Sequence, residues 1–270
     1  MSFGRLEKEK YPVAKKYYLS EKRFYPLVSA VLDRSQDGVV FANNPPFPNT
    51  FFVEHKFGFS QIYGVVDSSF YRGLRKYLFI DQAFIPQKIR SYAPSHRDFF
   101  QGHAEISERC QFRLVDDSKL MLEPYPIDAS VEDVTKEIAE EVDPVFKLDL
   151  FNRFWGSKEA FLKHGMAKVL TYRGKFASIC YASAVADGIA EIDVATIPEH
   201  RRHGFGRIVC SAFIRRCSDS RIIPNWDCFT NNIGSMRLAE SLGFAKYGEP
   251  YTFFTLNKTK NGQGILCEKP

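Results

Sequence analysis

The chain has 270 residues, of which 44% are hydrophobic and 26% charged, an ordinary globular composition for one large domain or two small ones. A net charge of +5, with its surplus before Gln111, is too thin for the dense basic stripe of a nucleic-acid binder. The sequence has no run of about 18 apolar residues to cross a membrane, a charged start (MSFGRLEKEK) unlike a secretory leader, and six scattered cysteines without a CxxC pair. These features predict a cytoplasmic protein with reduced core thiols and no membrane, nucleic-acid or metal partner.

In chain order, Tyr17, Tyr18, Phe24, Leu27, Val28 and Val31 form an apolar stripe that predicts helix up to about residue 32, interrupted at Pro26. Asp37-Gly38 is a turn signal before a strand, and TFFVEHKFG and FSQIYGVVD read as a hairpin joined at Gly58. A helix over 70–80 and a polar segment with Pro86 and Pro94 complete residues 1–112, predicted to be a helper domain. No convincing repeat is visible in the sequence, although a degenerate copy of the following domain is one way to read this region. Over 113–258 the patterns predict a strand (120–124), two helices (131–141 and 145–154), and a helical turn over 157–163 capped by Ser157. Strands over 167–172, 176–185 and 189–196 follow, separated by turns at Arg173-Gly174 and Asp187-Gly188. Residues 259–270 read as a loose tail.

The stretch AEIDVATIPEHRRHGFGRIV, residues 190–209, carries the strongest signal. Ile192, Val194 and Thr196 alternate with Glu191, Asp193 and Ala195 as in a strand, and Pro198, lacking an N–H, ends it. From Gly204 on, Ile208, Val209, Ala212, Phe213 and Cys217 recur at helical spacing. Between these elements lies Arg201-x-x-Gly204-x-Gly206. Its glycines let backbone N–H groups approach a ligand, and a helix N-terminus behind them favours negative charge. Arg201, Arg202 and Arg207 add full charges, with His200 and His203 flanking. The pattern reads as a seat for a pyrophosphate, or otherwise as a tight turn with solvated arginines. A second stretch, WDCFTNNIGSMRLAESLGF (226–244), supplies a strand, Asn232 at a helix start, and a closing Leu242-Gly243-Phe244.

Together the two stretches resemble the GCN5-related N-acetyltransferase (GNAT) superfamily, in a branch with an extra N-terminal region. Arg201, Gly204 and Gly206 match one of its patterns; Asn232, Ser235 and Leu242-Gly243-Phe244 match a later one. The resemblance covers residues 120–257 and implies an α/β fold, a mixed, mostly antiparallel sheet flanked by helices. It also implies acetyl-CoA as cofactor. The pantetheine would pair with Val194, Ala195 and Thr196; the pyrophosphate would lie on Arg201, Arg202, His203, Gly204, Phe205, Gly206 and Arg207; Asn232 would contact the cofactor or merely cap its helix. Two carboxylates are candidate bases, Glu191 by likeness to histone acetyltransferase-type members and Asp227 by likeness to protein N-terminal acetyltransferase-type members, with Asp193 a third. Their alternatives are an exposed strand-edge carboxylate for Glu191 and a hydrogen-bond anchor for Asp227. The family's usual tyrosine acid is replaced by Ala239, leaving Tyr181, Tyr247 or Tyr251 to reach in. The implied reaction is direct acetylation of a small-molecule amine by a monomer or homodimer. An acyl enzyme on Cys180 or Cys228, a non-catalytic acyl-CoA-binding module, and a protein or peptide acceptor are the other readings.

Overall fold

The computed structural model describes residues 3–43, 47–65, 67–94 and 96–259. The chain divides into two units, Met1–Glu108 with Tyr251–Pro270, and Arg109–Pro250. The division therefore runs at 108/109 and 250/251 rather than at 112/113 and 258. The reason is that β-pairing, not sequence order, decides membership. The tail expected over 259–270 lies outside the described residues except for Thr259.

In the first unit the order is β1 (Gly4–Arg5), α1 (Tyr11–Tyr18), α2 (Pro26–Leu32), β2 (Gly38–Ala42), β3 (Thr50–His55), β4 (Phe59–Gly64), α3 (Ser68–Arg75), β5 (Lys88–Tyr92) and α4 (Arg97–Phe100), leading into β6 (Glu105–Leu114). Pro26 starts a helix rather than interrupting one, since the first turn of a helix does not need proline's missing N–H. Strands β1 to β4 pair antiparallel in succession, and Gly58, at φ +96°, makes the predicted hairpin turn. Strand β5 then runs parallel to β4. Phe52, Ile62 and Ile89 on one sheet face bury against Phe70 and Leu74 of α3. Gln61 and Tyr63 lie on the opposite face, where Tyr63 meets Tyr18 of α1.

The second unit contains β7 (Ala129–Asp133), α5 (Lys136–Phe146), α6 (Lys158–His164), β8 (Ala167–Tyr172), β9 (Lys175–Ala186), β10 (Ile189–Thr196), α7 (Phe205–Asp219), β11 (Ile223–Phe229), α8 (Ile233–Ser241) and the start of β12 (Phe244–Asn257). Residues 120–124 are not a strand, and 131–133 are not helix. The strand is β7, because Val131 pairs with Leu170, and the helix starts only where Thr135 accepts a hydrogen bond from the Ile138 N–H. The predicted second helix shrinks to one turn, Phe151–Trp155, preceded by Asp143 accepting from the Leu150 N–H at 2.9 Å. Ser157 caps α6 as expected, accepting from the Ala160 N–H at 3.1 Å. Strands β7 to β10 pair antiparallel in succession, and β11 is parallel to β10.

The same plan therefore occurs twice: strand, two helices, three meandering strands, a helix, and a parallel strand. Each unit is completed by one further antiparallel strand. In the first unit this is the end of β12, where Phe253 is opposite Tyr92. In the second it is the end of β6, where Phe112 is opposite Trp226. In this order every strand and every pairing direction of one unit has its counterpart in the other.

Candidate active site

The candidate site forms where β10 and β11 part. Their parallel ladder holds three pairs, Ile189 with Ile223, Ala190 with Pro224, and Glu191 with Asn225. Beyond Glu191, β11 instead continues with β6 on its other edge. A bulge in the β9–β10 pairing falls at the same point, between Glu191 and Ile192, and bulges increase local twist. Ile192 belongs to the core packed on α7, which turns Glu191 and Asp193 to the opposite face.

Glu191 is buried, at 8% exposure, so the reading as an exposed edge carboxylate does not hold. Asn225 donates to its Oε2 at 2.6 Å. Burial, and then the charge of Asp227, push the Glu191 carboxyl up to about 8, against the opposing pull of Asn225 and Arg109. Asp227 forms an ion pair with Arg109 Nε, while Arg109 Nη2 donates to the Asp227 carbonyl at 3.0 Å. The Arg109 guanidinium also lies over the Phe229 ring, 4.5 Å from its centroid. Asp193 accepts from Tyr181 Oη at 2.8 Å, and burial raises its carboxyl too, with Arg153 and Arg109 drawing it down. Tyr181 is buried behind that bond, and burial holds its phenol well above the ordinary range.

The loop after β10 has the geometry of an open helix end. Gly204 precedes α7 at φ +81°, a Cβ there would meet nothing within 4 Å, and no side chain caps the helix. Arg202 has φ +67°, and Arg201 Nε donates to the Thr196 carbonyl at 3.2 Å, tying the loop to the strand end. His203 folds back, its Nδ1 2.9 Å from the Arg201 carbonyl and its ring stacked on Phe205. Gly206 lies under Thr196, where a Cβ would be 3.5 Å from Oγ1. Arg207 instead reaches the Lys119 carbonyl at 2.8 Å. Asn232 caps α8, its Oδ1 accepting from the Ser235 N–H at 3.1 Å.

A family model described as GNAT acetyltransferase matches residues 19–254, across both units. The chain belongs to the GNAT acetyltransferase family. Membership makes it an acetyltransferase, and the match takes in the N-terminal unit as well as the motif-bearing one. A curated Bacillus subtilis relative, uncharacterized N-acetyltransferase YdfB, is 23% identical over 255 residues, covering 92% of this chain and 97% of its own length. Among solved structures, a GCN5-related N-acetyltransferase-like protein from Streptococcus suis aligns with a TM-score of 0.72 at 17% identity, over 93% of this chain and 99% of that one. A tandem GNAT protein from the clavulanic acid biosynthesis pathway aligns at 0.65 and 12% identity, over 95% and 98%. At these identities the likeness is one of fold, and it extends over both units of this chain.

Within this GNAT chain, Ala239 is fully buried in the α8 core, so no hydroxyl stands at the usual tyrosine position. Tyr247 lies beneath the Arg113 guanidinium, 3.2 Å from its ring centroid, and Tyr251 belongs to the first unit. Cys180 and Cys228 are buried, and burial raises both thiols, Cys228 to about 11 and Cys180 well above its ordinary value. Neither is poised to be a thiolate nucleophile. Arg109, Asn225 and Arg153 were not apparent from the sequence. Asn225 stands beside the 226–244 stretch with nothing to single it out, and Arg109 had no local motif.

Proposed function

We propose that the protein transfers an acetyl group from acetyl-CoA directly to a small-molecule amine, with Glu191 as general base. The observation that carries this reading is Glu191 itself, a buried carboxyl raised toward neutral pH where two parallel strands separate. A base of that affinity can take the proton of an amine near neutral pH, which an ordinary exposed carboxylate does poorly. The thioester supplies the activated acetyl group. Beyond Glu191 β10 no longer pairs with β11, and its edge at Val194, Ala195 and Thr196 suits the pantetheine, which would exchange with Asp193 for the Val194 N–H. The uncapped N–H groups of Phe205, Gly206 and Arg207, with the charges of Arg201 and Arg202, suit the pyrophosphate. The open space at the Gly204 Cβ position is where such a group would need room.

Asp227, already paired with Arg109, is assigned to positioning and charge rather than proton removal. With Ala239 at the tyrosine position, the thiol leaves without a tyrosine acid there; a thiol of ordinary pKa near 8.5 leaves as thiolate without assistance. The same residue favours a second reading, a GNAT domain that binds acyl-CoA without turning it over. Incubating the protein with acetyl-CoA and a panel of small amines, with thiol release as readout, separates them. Amine-dependent release abolished by Glu191→Gln supports catalysis, whereas acetyl-CoA binding with no release for any amine or peptide supports the second reading.

A further inference from the structure

We propose that the first unit is a copy of the acyl-CoA-binding plan whose nucleotide seat is closed by the chain's own carboxylate, so that the protein holds one acetyl-CoA per chain, in the second unit alone. The inference rests on the reading of the α7 loop given above, and it assigns a state to the half that the reading leaves out. The equivalence is positional. In each unit the fourth strand of the plan pairs in parallel with the fifth over three positions, and the third pair is Gln61 with Tyr92 in one and Glu191 with Asn225 in the other.

At that position the first unit has an amide where the second has a carboxyl. Gln61 is fully buried with neither Nε2 nor Oε1 hydrogen-bonded, and as an amide it has no basicity to take a proton. Two residues on, where the second unit has Asp193, stands Tyr63, whose hydroxyl is already committed to the Ala14 carbonyl at 3.1 Å. The following loop differs more sharply. Eight residues separate β10 from α7, but three separate β4 from α3, and those three (Val65-Val66-Asp67) bring no arginine or lysine.

Asp67 occupies the helix end itself. Its Oδ1 accepts from the N–H groups of Ser69 and Phe70, both at 2.8 Å, and from the Ser69 hydroxyl at 2.8 Å. Those bonds, the Phe70 amide first, hold the Asp67 carboxyl down at about 2, so the charge is present at every physiological pH. A pyrophosphate approaching α3 would meet a fixed negative charge and N–H groups already in use. The corresponding N-terminus of α7 begins at a glycine and has no side-chain cap.

The test is binding stoichiometry on the full chain, by native mass spectrometry and calorimetry with acetyl-CoA, alongside hydrogen exchange. The expected result is one molecule per chain, with new protection over residues 194–208 and none over 61–75. Arg201→Glu, a charge reversal at an exposed position, and Gly204→Val should each take the count toward zero. Two molecules per chain, falling to one in Arg201→Glu, would overturn the inference while leaving the α7 reading standing. One molecule that persists in both variants, with protection over 61–75, would overturn both. Circular dichroism on each variant ensures that a lost site is not a lost fold.

Discussion

At the scale of single residues, the candidate site is a cluster of three carboxylates, the buried Glu191 and Asp227 and the half-buried Asp193, and its chemistry depends on how their charges are shared. Glu191→Gln keeps the shape and the Asn225 contact but removes basicity, so turnover should fall about 10²–10⁴-fold with acetyl-CoA affinity nearly unchanged. In the wild type the rate should rise as pH passes through about 8, where Glu191 loses its proton. The same carboxyl affects stability with a definite sign. Its folded pKa lies above the unfolded value, so the unfolded chain releases this proton first, and stability declines as pH rises from about 4.3 in the unfolded chain to about 8 in the native one. Glu191→Gln should flatten that decline in thermal melts; equal slopes would mean that the carboxyl is not protonated in the native state. Arg109 lowers the Glu191 pKa and neutralises Asp227, so Arg109→Gln should move the acidic limb of the rate profile to higher pH, and Arg109→Lys should largely restore it. Coincident limbs in all three proteins would remove Arg109 from any tuning role. Glu191 could be singled out by likeness to histone acetyltransferase-type members, from its place in the strand before the glycine loop. Its burial could not, because the groups that meet it, Asn225, Asp227 and Arg109, come from elsewhere in the chain. Arg109 was the hardest to find, since it meets Asp227 across 118 residues of sequence.

At the scale of elements, the β10–loop–α7 segment was legible because every signal in it is local: alternation, a proline stop, a glycine at φ +81° and helical periodicity. Residues 120–146 were not, because Val131 fits a helical stripe as well as a strand and only its pairing with Leu170 decides. Gly204→Val forces a β-branched residue into left-handed backbone and into the open space beside the helix end. Calorimetry should show acetyl-CoA affinity at least tenfold weaker, about 1.4 kcal/mol. Asn232→Ser separates two roles, since serine caps a helix about as well as asparagine. Unchanged melting with weaker acetyl-CoA binding would indicate a cofactor contact; unchanged values for both would leave Asn232 as the cap of α8 alone. Asp67→Ala should cost about 1 kcal/mol of stability as a lost helix cap, readable as a lower denaturant midpoint.

At the scale of the whole molecule, no repeat could be read from the sequence, although the topology is duplicated strand for strand. The two halves share the order and direction of their elements, while the residues that carry a motif, Arg201, Gly204, Gly206 and Glu191, occur in one half. The units divide at 108/109 and 250/251 for a related reason: only the pairing of β6 with β11 and of β12 with β5 assigns each strand to its unit. A fragment spanning 109–259 would carry Phe253, Phe254 and Leu256 without the β5 edge that pairs them in the first unit. Such a fragment should self-associate through that apolar strand. A monodisperse monomer as stable as the full chain in light scattering and melting would show that β12 needs no such partner.

The first unit is also discontinuous in sequence, since Ser91 pairs with Phe254. During synthesis its sheet must wait at β5, with an unpaired edge, while the ribosome adds the whole second unit. Domains are usually made and folded one after another from the N-terminus, and exposed strand edges in waiting intermediates invite misassembly. Here the late arrival of residues 251–257 makes completion of the earliest-made half the last step. Ribosome-bound chains ending near residue 250 should therefore remain protease-sensitive across residues 59–92, with protection appearing only after the β12 sequence has cleared the exit tunnel.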